Sequence, residues 1–132
     1  MAAPVEVVLA FLDAWDRPGG VAQAIRDWFT ADTVWENVGM SKTTGVDQAM
    51  AVLAGFGSGA DQLWMRADNL AVAQVGGKVL TERVDHVLDG DGNPALSIRL
   101  MGTFEVEGGK ISAWRDYFDT AGLAGGSGAG EG

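Results

Sequence analysis

A chain of 132 residues with no cysteine and a formal net charge of −9 has the size of one domain and excludes disulfide and thiolate chemistry. The negative charge argues against nucleic acid or an anionic membrane as a partner, because both require lysine and arginine. The absence of cysteine fits a reducing compartment. The N-terminal stretch lacks a basic region, and Glu6 and Asp13 interrupt its apolar residues. We therefore expect no signal peptide and a cytoplasmic location.

The first half of the chain has mainly helical periodicity. Apolar residues at helical spacing predict a first helix over residues 4–16 and a second, shorter helix over residues 21–29. The stretch DTVWENVG alternates between apolar and polar residues and predicts a short strand. Thr44, followed three residues later by Asp47, predicts a capping box that begins a third helix.

After residue 60 the pattern changes to four strand-like runs. Two Gly-Gly pairs and the stretch DGDGNP separate these runs and predict hairpin turns. DGDGNP is not a calcium loop, because Pro94 and Leu100 stand where glycine and a bidentate glutamate are required. Helices followed by an antiparallel meander indicate the α+β class. We expect one domain over residues 1–123 and a flexible, glycine-rich tail over residues 124–132.

Charged residues interrupt two of the predicted strands. In TERVDHVL, Arg83 and Asp85 share one face and Glu82 and His86 share the other, so alternation alone does not show which of the two faces is buried. In the last run, Trp114, Asp116 and Phe118 share one face, and a carboxylate between two large aromatic residues predicts that this face points inward. A buried carboxylate requires a cation. Arg83 would supply it and bring Asp85 to the same side, either as a proton-transfer site or as an ion-pair network that only stabilises the fold.

Further candidates follow from strand parity. Trp35 and Asn37 share a face, and Asn37 has donor and acceptor atoms that could hold a water molecule, although asparagine is also common before a turn. His86 faces away from Asp85 and is predicted to be an outer-face or interface residue. Candidate lining residues of an apolar pocket, each also an ordinary core residue, are Trp28, Met50, Leu53, Trp114 and Phe118.

The motifs that carry these residues resemble the limonene-1,2-epoxide hydrolase family. The resemblance lies in LTERVD (80–85), in GKISAWRDYFD (109–119) and in VWENV (34–38), and it extends over about residues 5–123. It implies the cone-shaped fold shared with nuclear transport factor 2 (NTF2) and SnoaL-like proteins. That fold is a curved, mainly antiparallel but mixed sheet with three to four helices packed on its concave side.

The resemblance also implies a mechanism. Asp116 would be the general base that takes a proton from water, and Asp85 the general acid that protonates the epoxide oxygen. Arg83 would orient both carboxylates, Asn37 would help to hold the water, and Trp35 stands where the family has a water-binding tyrosine. The substrate would be a small apolar epoxide, with no covalent intermediate, no metal and no organic cofactor. The family also implies a homodimer formed through the outer face of the sheet.

Two alternatives remain open from the sequence. The same fold hosts steroid isomerases and polyketide cyclases, so fold alone does not define the reaction. Tyr117 is the only tyrosine, and its strand parity differs from that of Asp116, which argues against an isomerase that depends on a tyrosine hydroxyl. The other alternative is a module that binds apolar ligands without chemistry, in which Trp35 would be the change that ended water activation.

Overall fold

The computed structural model describes residues 2–56 and 59–121. Within these ranges, three helices pack on one face of a curved, six-stranded sheet. The helices are α1 (Pro4–Asp13), α2 (Gly20–Trp28) and α3 (Gly45–Ala54). The strands are β1 (Phe29–Asn37), β2 (Ser41–Thr44), β3 (Trp64–Val75), β4 (Lys78–Leu88), β5 (Pro94–Glu107) and β6 (Lys110–Tyr117). The glycine-rich stretch 124–132, predicted as a tail, lies outside the described residues.

The strand order is β2-β1-β6-β5-β4-β3. All neighbouring strands are antiparallel except β1 and β6, which run parallel. The prediction of an α+β fold with a mixed, mainly antiparallel sheet is therefore confirmed. The parallel pair matters for the site, because it brings the N-terminal strand β1 beside the C-terminal strand β6.

The predicted hairpin turns are present. Gly76 and Gly108 adopt positive φ angles of 59° and 58° at the two Gly-Gly pairs, a conformation that glycine adopts without steric penalty. Between β4 and β5, Asp89 Oδ1 accepts the backbone N–H groups of Asp91 and Asn93 at 2.9 and 3.0 Å. DGDGNP is therefore a turn, as predicted, and the structure shows that it is of the Asx type.

The helix boundaries differ from the prediction at two places. Helix α1 ends at Asp13 rather than Asp16, and the chain continues in tighter turns in which the backbone N–H groups of Trp15 and Asp16 donate to the carbonyls of Leu12 and Asp13. Helix α2 ends at Trp28, and Phe29 has extended backbone (φ −82°, ψ 155°) and begins β1 beside Ile111 of β6. The apolar spacing placed Phe29 in the second helix, but pairing with β6 makes it the first residue of a strand.

The third helix begins after Thr44 as predicted, but the predicted capping box is wrong. The Thr44 side chain makes no cap hydrogen bond, and its backbone N–H instead donates to Gln48 Oε1 at 2.9 Å. The preceding strand β2 was not predicted, because its four polar residues, SKTT, carry no apolar alternation. Antiparallel pairing with β1 at the sheet edge forms this strand.

The core fills the space between the helices and the sheet. Its largest members come from α1, from the segment after α1, and from β1, β5 and β6: Phe11, Trp15, Phe29, Trp35, Phe104 and Trp114. Aromatic side chains bury large apolar areas and prefer edge-to-face or offset-stacked pairs, and this cluster contains both arrangements. None of the helices in the described ranges is long and apolar enough to cross a membrane.

Candidate active site

Three charged side chains meet on the inner face of the sheet. Arg83 and Asp85 lie on β4, Asp116 lies on β6, and β5 runs between these strands. Gly102 of β5 pairs with Thr81 on one side and with Asp116 on the other. A Cβ atom at Gly102 would overlap with Arg83 Nη1 and would lie 2.5 Å from Asp116 Oδ1. The missing side chain at Gly102 is therefore what allows the guanidinium group to reach Asp116.

The guanidinium group contacts both carboxylates. Arg83 Nε donates to Asp85 Oδ1 at 3.0 Å, and Arg83 Nη2 donates to Asp85 Oδ2 at 2.8 Å. The same Nη2 atom lies 3.1 and 3.0 Å from the two oxygens of Asp116. Arg83 Nη1 donates to Thr81 Oγ1 at 3.0 Å, and Thr81 donates in turn to the Gly102 carbonyl. The arginine thus bridges the two acids, as predicted from strand parity.

All three charged side chains are withdrawn from solvent. The side chain of Arg83 is fully buried, and those of Asp85 and Asp116 are 4% and 5% exposed. Burial raises the pKa of Asp116, and the nearby Asp85 adds to this effect, while Arg83 and Trp114 oppose it. Burial acts to lower the pKa of Arg83, but Asp116 and Asp85 outweigh it and raise that pKa, so the arginine stays charged. One buried cation thus faces two carboxyl groups, an arrangement that favours retention of one proton by the pair.

Trp35 and Asn37 border the trio from β1. In the parallel pairing of β1 with β6, Trp35 is registered with Trp114 and Asn37 with Asp116. Trp35 stacks on Trp114 with ring centroids 4.7 Å apart and planes 9° apart. Its indole Nε1 is buried and has no hydrogen-bond partner in the described part of the chain. Asn37 Nδ2 donates to Ser41 Oγ at 3.2 Å, on the neighbouring edge strand β2.

The predicted lining residues have different surroundings. Trp114 is buried, and its indole Nε1 donates to Asp116 Oδ1 at 2.9 Å. Leu53 is a buried core residue, while Trp28 and Met50 are partly buried against the same core. Phe118 is half-buried and lies just beyond the end of β6. Trp114 is therefore the predicted lining residue that contacts the charged trio.

Four residues of the site were not predicted from the sequence: Thr81, Gly102, Trp15 and Phe104, whose ring centroid lies 5.6 Å from Arg83 Cζ. Thr81 lies two residues before Arg83 in the same strand, so strand parity places it on the same face and could have identified it. Gly102 contacts the trio only because of the register of β5, which the local sequence does not show. Trp15 lies after α1, and its ring centroid is 5.8 Å from Arg83 Cζ, a cation–π distance. Nothing in the local sequence pattern connects Trp15 with Arg83.

Two residues lie on the outer face, as parity predicted. His86 Nε2 is 2.8 Å from Asp68 Oδ2, and His86 Nδ1 is 2.7 Å from Ser97 Oγ. These three residues link strands β3, β4 and β5 on the side of the sheet away from Asp85. Tyr117 is 46% exposed at the end of β6. Its hydroxyl therefore does not lie on the buried face that carries Asp116, and it is not placed to be the oxyanion donor of a tyrosine-dependent isomerase.

The family model of the limonene-1,2-epoxide hydrolase (LEH) catalytic domain matches residues 2–126. Epoxide hydrolase EphG of Mycobacterium tuberculosis is 33% identical over 88 residues, which are 67% of this chain and 56% of that protein. The chain therefore aligns with little more than half the length of this relative.

Solved structures agree with this result. The structure of an M. tuberculosis LEH-like epoxide hydrolase superposes with a TM-score of 0.68 at 29% identity, over 89% of this chain and 79% of that chain. An NTF2-like protein of unknown function from Cytophaga hutchinsonii superposes with a TM-score of 0.70 over 94% of this chain and 96% of that one, and its 16% identity shows the fold alone. The fold is thus NTF2-like. Because the family model covers nearly the whole sequence, the chain belongs to the limonene-1,2-epoxide hydrolase family.

Proposed function

We propose that this protein adds water to a small apolar epoxide, cyclic or terpenoid-like, and releases a vicinal diol in one step without a covalent intermediate. One observation carries the proposal: Arg83 Nη2 lies 2.8 Å from Asp85 and 3.0 Å from Asp116 in a buried site. Two carboxyl groups with different surroundings are a common means of separating a general acid from a general base. Membership of the epoxide hydrolase family supports the same reaction.

In the proposed reaction, Asp116 acts as the general base and Asp85 as the general acid. Asp116 takes a proton from water while the water oxygen forms a bond to one ring carbon. The bond from that carbon to the ring oxygen breaks, and the ring oxygen receives the proton of Asp85. Each proton transfer contributes about 10²–10⁴-fold to the rate. Product release and proton exchange with solvent then restore the starting state of the two acids.

The charge balance of the trio favours a concerted step. Before and after the reaction, the trio holds one guanidinium charge and one carboxylate charge, because one acid gains a proton as the other loses one. Neither hydroxide nor an alkoxide is formed in the apolar surroundings, where an unpaired ion is strongly unfavourable. The raised pKa of Asp116, caused first by its burial, makes it a stronger base than an exposed aspartate.

Asn37 is proposed to hold the attacking water beside Asp116. Its registration with Asp116 in the parallel pairing of β1 with β6 supports this role. The substrate is proposed to lie toward Asp85, whose cross-strand neighbours are Ala67 and Ile98. These apolar side chains favour a neutral substrate. Half-buried Met50 and Phe118 are proposed to line the pocket, while Trp28 and Leu53 serve mainly as core.

The proposal is tested by incubating the protein with cyclic epoxides in ¹⁸O-water. A trans-diol that carries one label is expected, because a single water molecule attacks the ring. Asp85→Asn and Asp116→Asn should each abolish product, whereas Asp68→Asn, a matched change on the outer face, should not. Tight binding of apolar ligands by the wild type with no diol formed would instead indicate the binding module.

A further inference from the structure

We propose that Trp114 is a positioning residue for the Asp116 carboxylate and that the stacked ring of Trp35 holds Trp114 in this role. The inference rests on the proposed function, in which Asp116 takes a proton from water. Trp114, held by Trp35, orients the Asp116 carboxylate so that one of its two oxygens accepts the proton. Trp35 thus acts through packing rather than through donation to the water.

Rings from both neighbouring strands fix the indole of Trp114. Strand β6 lies between β1 and β5, and Trp35 of β1 and Phe104 of β5 are both registered with Trp114. Trp35 stacks at 4.7 Å and 9°, and Phe104 stacks at 5.8 Å and 15°. Phe11 of α1 meets the indole edge-on at 5.3 Å and 80°. The indole therefore has little freedom to rotate, and its N–H points in a fixed direction.

The fixed N–H group holds one oxygen of Asp116. Trp114 Nε1 donates to Asp116 Oδ1 at 2.9 Å, and both residues are 3% exposed. Arg83 Nη2 carries two hydrogens, and it lies 2.8 Å from Asp85 Oδ2. One hydrogen thus serves Asp85, and the other is shared between the two oxygens of Asp116 at 3.1 and 3.0 Å.

The two oxygens of Asp116 are therefore not equivalent. Oδ1 accepts from both Trp114 and Arg83, whereas Oδ2 accepts, among the described residues, only the shared hydrogen of Arg83. A carboxylate oxygen has two lone-pair sites, so Oδ2 keeps one available. We assign Oδ2 as the oxygen that receives the proton of the water. Without the indole N–H the carboxylate could rotate, and the base would lose its fixed direction.

The two indoles differ in their hydrogen bonding. Trp114 Nε1 is paired, whereas Trp35 Nε1 is buried without a partner in the described part of the chain. Stacked aromatic pairs contribute about 0.5–1.5 kcal/mol beyond their buried area, which corresponds to about a three- to tenfold effect. The contribution of Trp35 to the site is thus its flat contact with Trp114.

The first test is Trp114→Phe, which keeps an aromatic ring and removes the N–H donor. We expect kcat to fall about ten- to a hundredfold, as for loss of a hydrogen bond to a charged group, with little change in KM. The acid limb of the pH–rate profile should move to higher pH, because the lost donor favoured the ionised form of Asp116. Trp64→Phe is the matched control, since Trp64 Nε1 donates to Asp16 Oδ1 at 2.8 Å on the edge strand β3. It should leave kcat and the acid limb unchanged.

The second test separates stacking from donation at Trp35. Trp35→Phe keeps a flat ring without an N–H group, and Trp35→Leu removes the ring. We expect kcat of Trp35→Leu to be about three- to tenfold lower than that of Trp35→Phe. Equal losses in these two variants, or a wild-type kcat and acid limb in Trp114→Phe, would overturn the proposal.

A third measurement does not depend on activity. The indole ¹H–¹⁵N resonance of Trp114, one of five tryptophans, should move when Asp116 ionises and should lose this pH response in Asp116→Asn. If the wild type hydrolyses no epoxide but the resonance follows Asp116, the proposed function fails and the positioning contact stands. If the enzyme is active but the Trp114 resonance does not respond to ionisation of Asp116, the positioning role is wrong and the proposed hydrolase function remains supported.

Discussion

The guanidinium group of Arg83 crosses strand β5 at Gly102, where a Cβ atom would overlap with Arg83 Nη1. This relationship explains how a side chain on β4 pairs with an acid on β6, two strands away. It also makes a glycine, which has no chemistry of its own, a geometric requirement of the candidate site.

Gly102→Ala is expected to disrupt the trio. The new methyl group would press on Arg83 Nη1 and on Asp116 Oδ1, so the guanidinium group must move away from Asp116. Overpacking of a buried site costs about 1–3 kcal/mol of unfolding free energy, and the misplaced carboxylate should lower kcat at least about a hundredfold. Urea unfolding and steady-state kinetics measure both effects. Gly90→Ala is the control, because its Cβ would meet nothing within 4 Å; equal behaviour of the two variants would contradict the requirement.

Arg83→Met is expected to destabilise the fold strongly. It leaves Asp85 and Asp116 buried without their cation, and breaking a buried ion pair costs about 3–5 kcal/mol. Chemical denaturation at neutral pH measures the loss. Arg66→Met is the matched control: Arg66 pairs with Asp16 at 3.1 Å, but their side chains are 43% and 39% exposed, and exposed pairs contribute about 0–1 kcal/mol. A similar small loss in both variants would show that the Arg83 pairs do not stabilise the fold.

The raised pKa of Asp116 predicts a pH dependence of activity. As a base, Asp116 must be ionised, so kcat/KM should fall as pH drops through its folded-state pKa. Burial, the largest cause, raises that pKa above the ordinary value of 3.8. The acid limb of the profile is therefore expected above pH 3.8. An acid limb at or below that pH would argue against Asp116 as the base.

The same pKa predicts an effect on stability with a definite sign. Because the folded-state pKa of Asp116 is raised, the folded state binds more protons than the unfolded state between pH 3.8 and that raised pKa. The contribution of Asp116 to unfolding free energy is thus fully present below pH 3.8 and is lost as pH rises through the folded-state pKa. Asp116→Asn should remove this dependence. The measurement is the free energy of unfolding of both proteins at several pH values above 3.8. The same pH dependence in wild type and Asp116→Asn would contradict the prediction.

Trp35→Tyr places the tyrosine of the family at this position. Since tyrosine keeps a ring that can stack on Trp114, we expect kcat within about threefold of wild type. A gain of tenfold or more would show that the attacking water lacks a hydroxyl partner and that Trp35 impairs the site. Steady-state kinetics with the best cyclic epoxide from the labelling experiment decides between these outcomes.

The predicted homodimer is expected to use the outer face of the sheet. Met101 and Tyr117 are paired across β5 and β6 and are 51% and 46% exposed. Met101→Glu, beside Glu82 on the neighbouring strand, should raise the dimer dissociation constant at least about tenfold. Light scattering across a dilution series measures this change. Leu9→Glu, on an exposed position of α1, is the control, and a monomeric wild type would refute the prediction.

Most of the strands were predicted from two local properties of the sequence, period-two alternation and turn residues. They indicated the long strands β3 to β6. They also placed Arg83 and Asp85 on one face of their strand opposite His86, and Asp116 on one face of its strand opposite Tyr117. The need to pair a buried carboxylate then linked Asp116 to Arg83. These inferences hold because strand geometry fixes which way each side chain points, regardless of partner strands.

The order and register of the strands were decided only by the tertiary structure. The parallel pairing that brings Trp35 and Asn37 beside Trp114 and Asp116 joins the first and the last strand. Strand β2 forms by antiparallel pairing with β1. Gly102 and Trp15 enter the site through contacts between segments far apart in sequence. Such contacts depend on how whole layers pack, which no local pattern of residues specifies. The sequence by itself therefore determined which side chains face the interior, and the tertiary structure determined which of them touch.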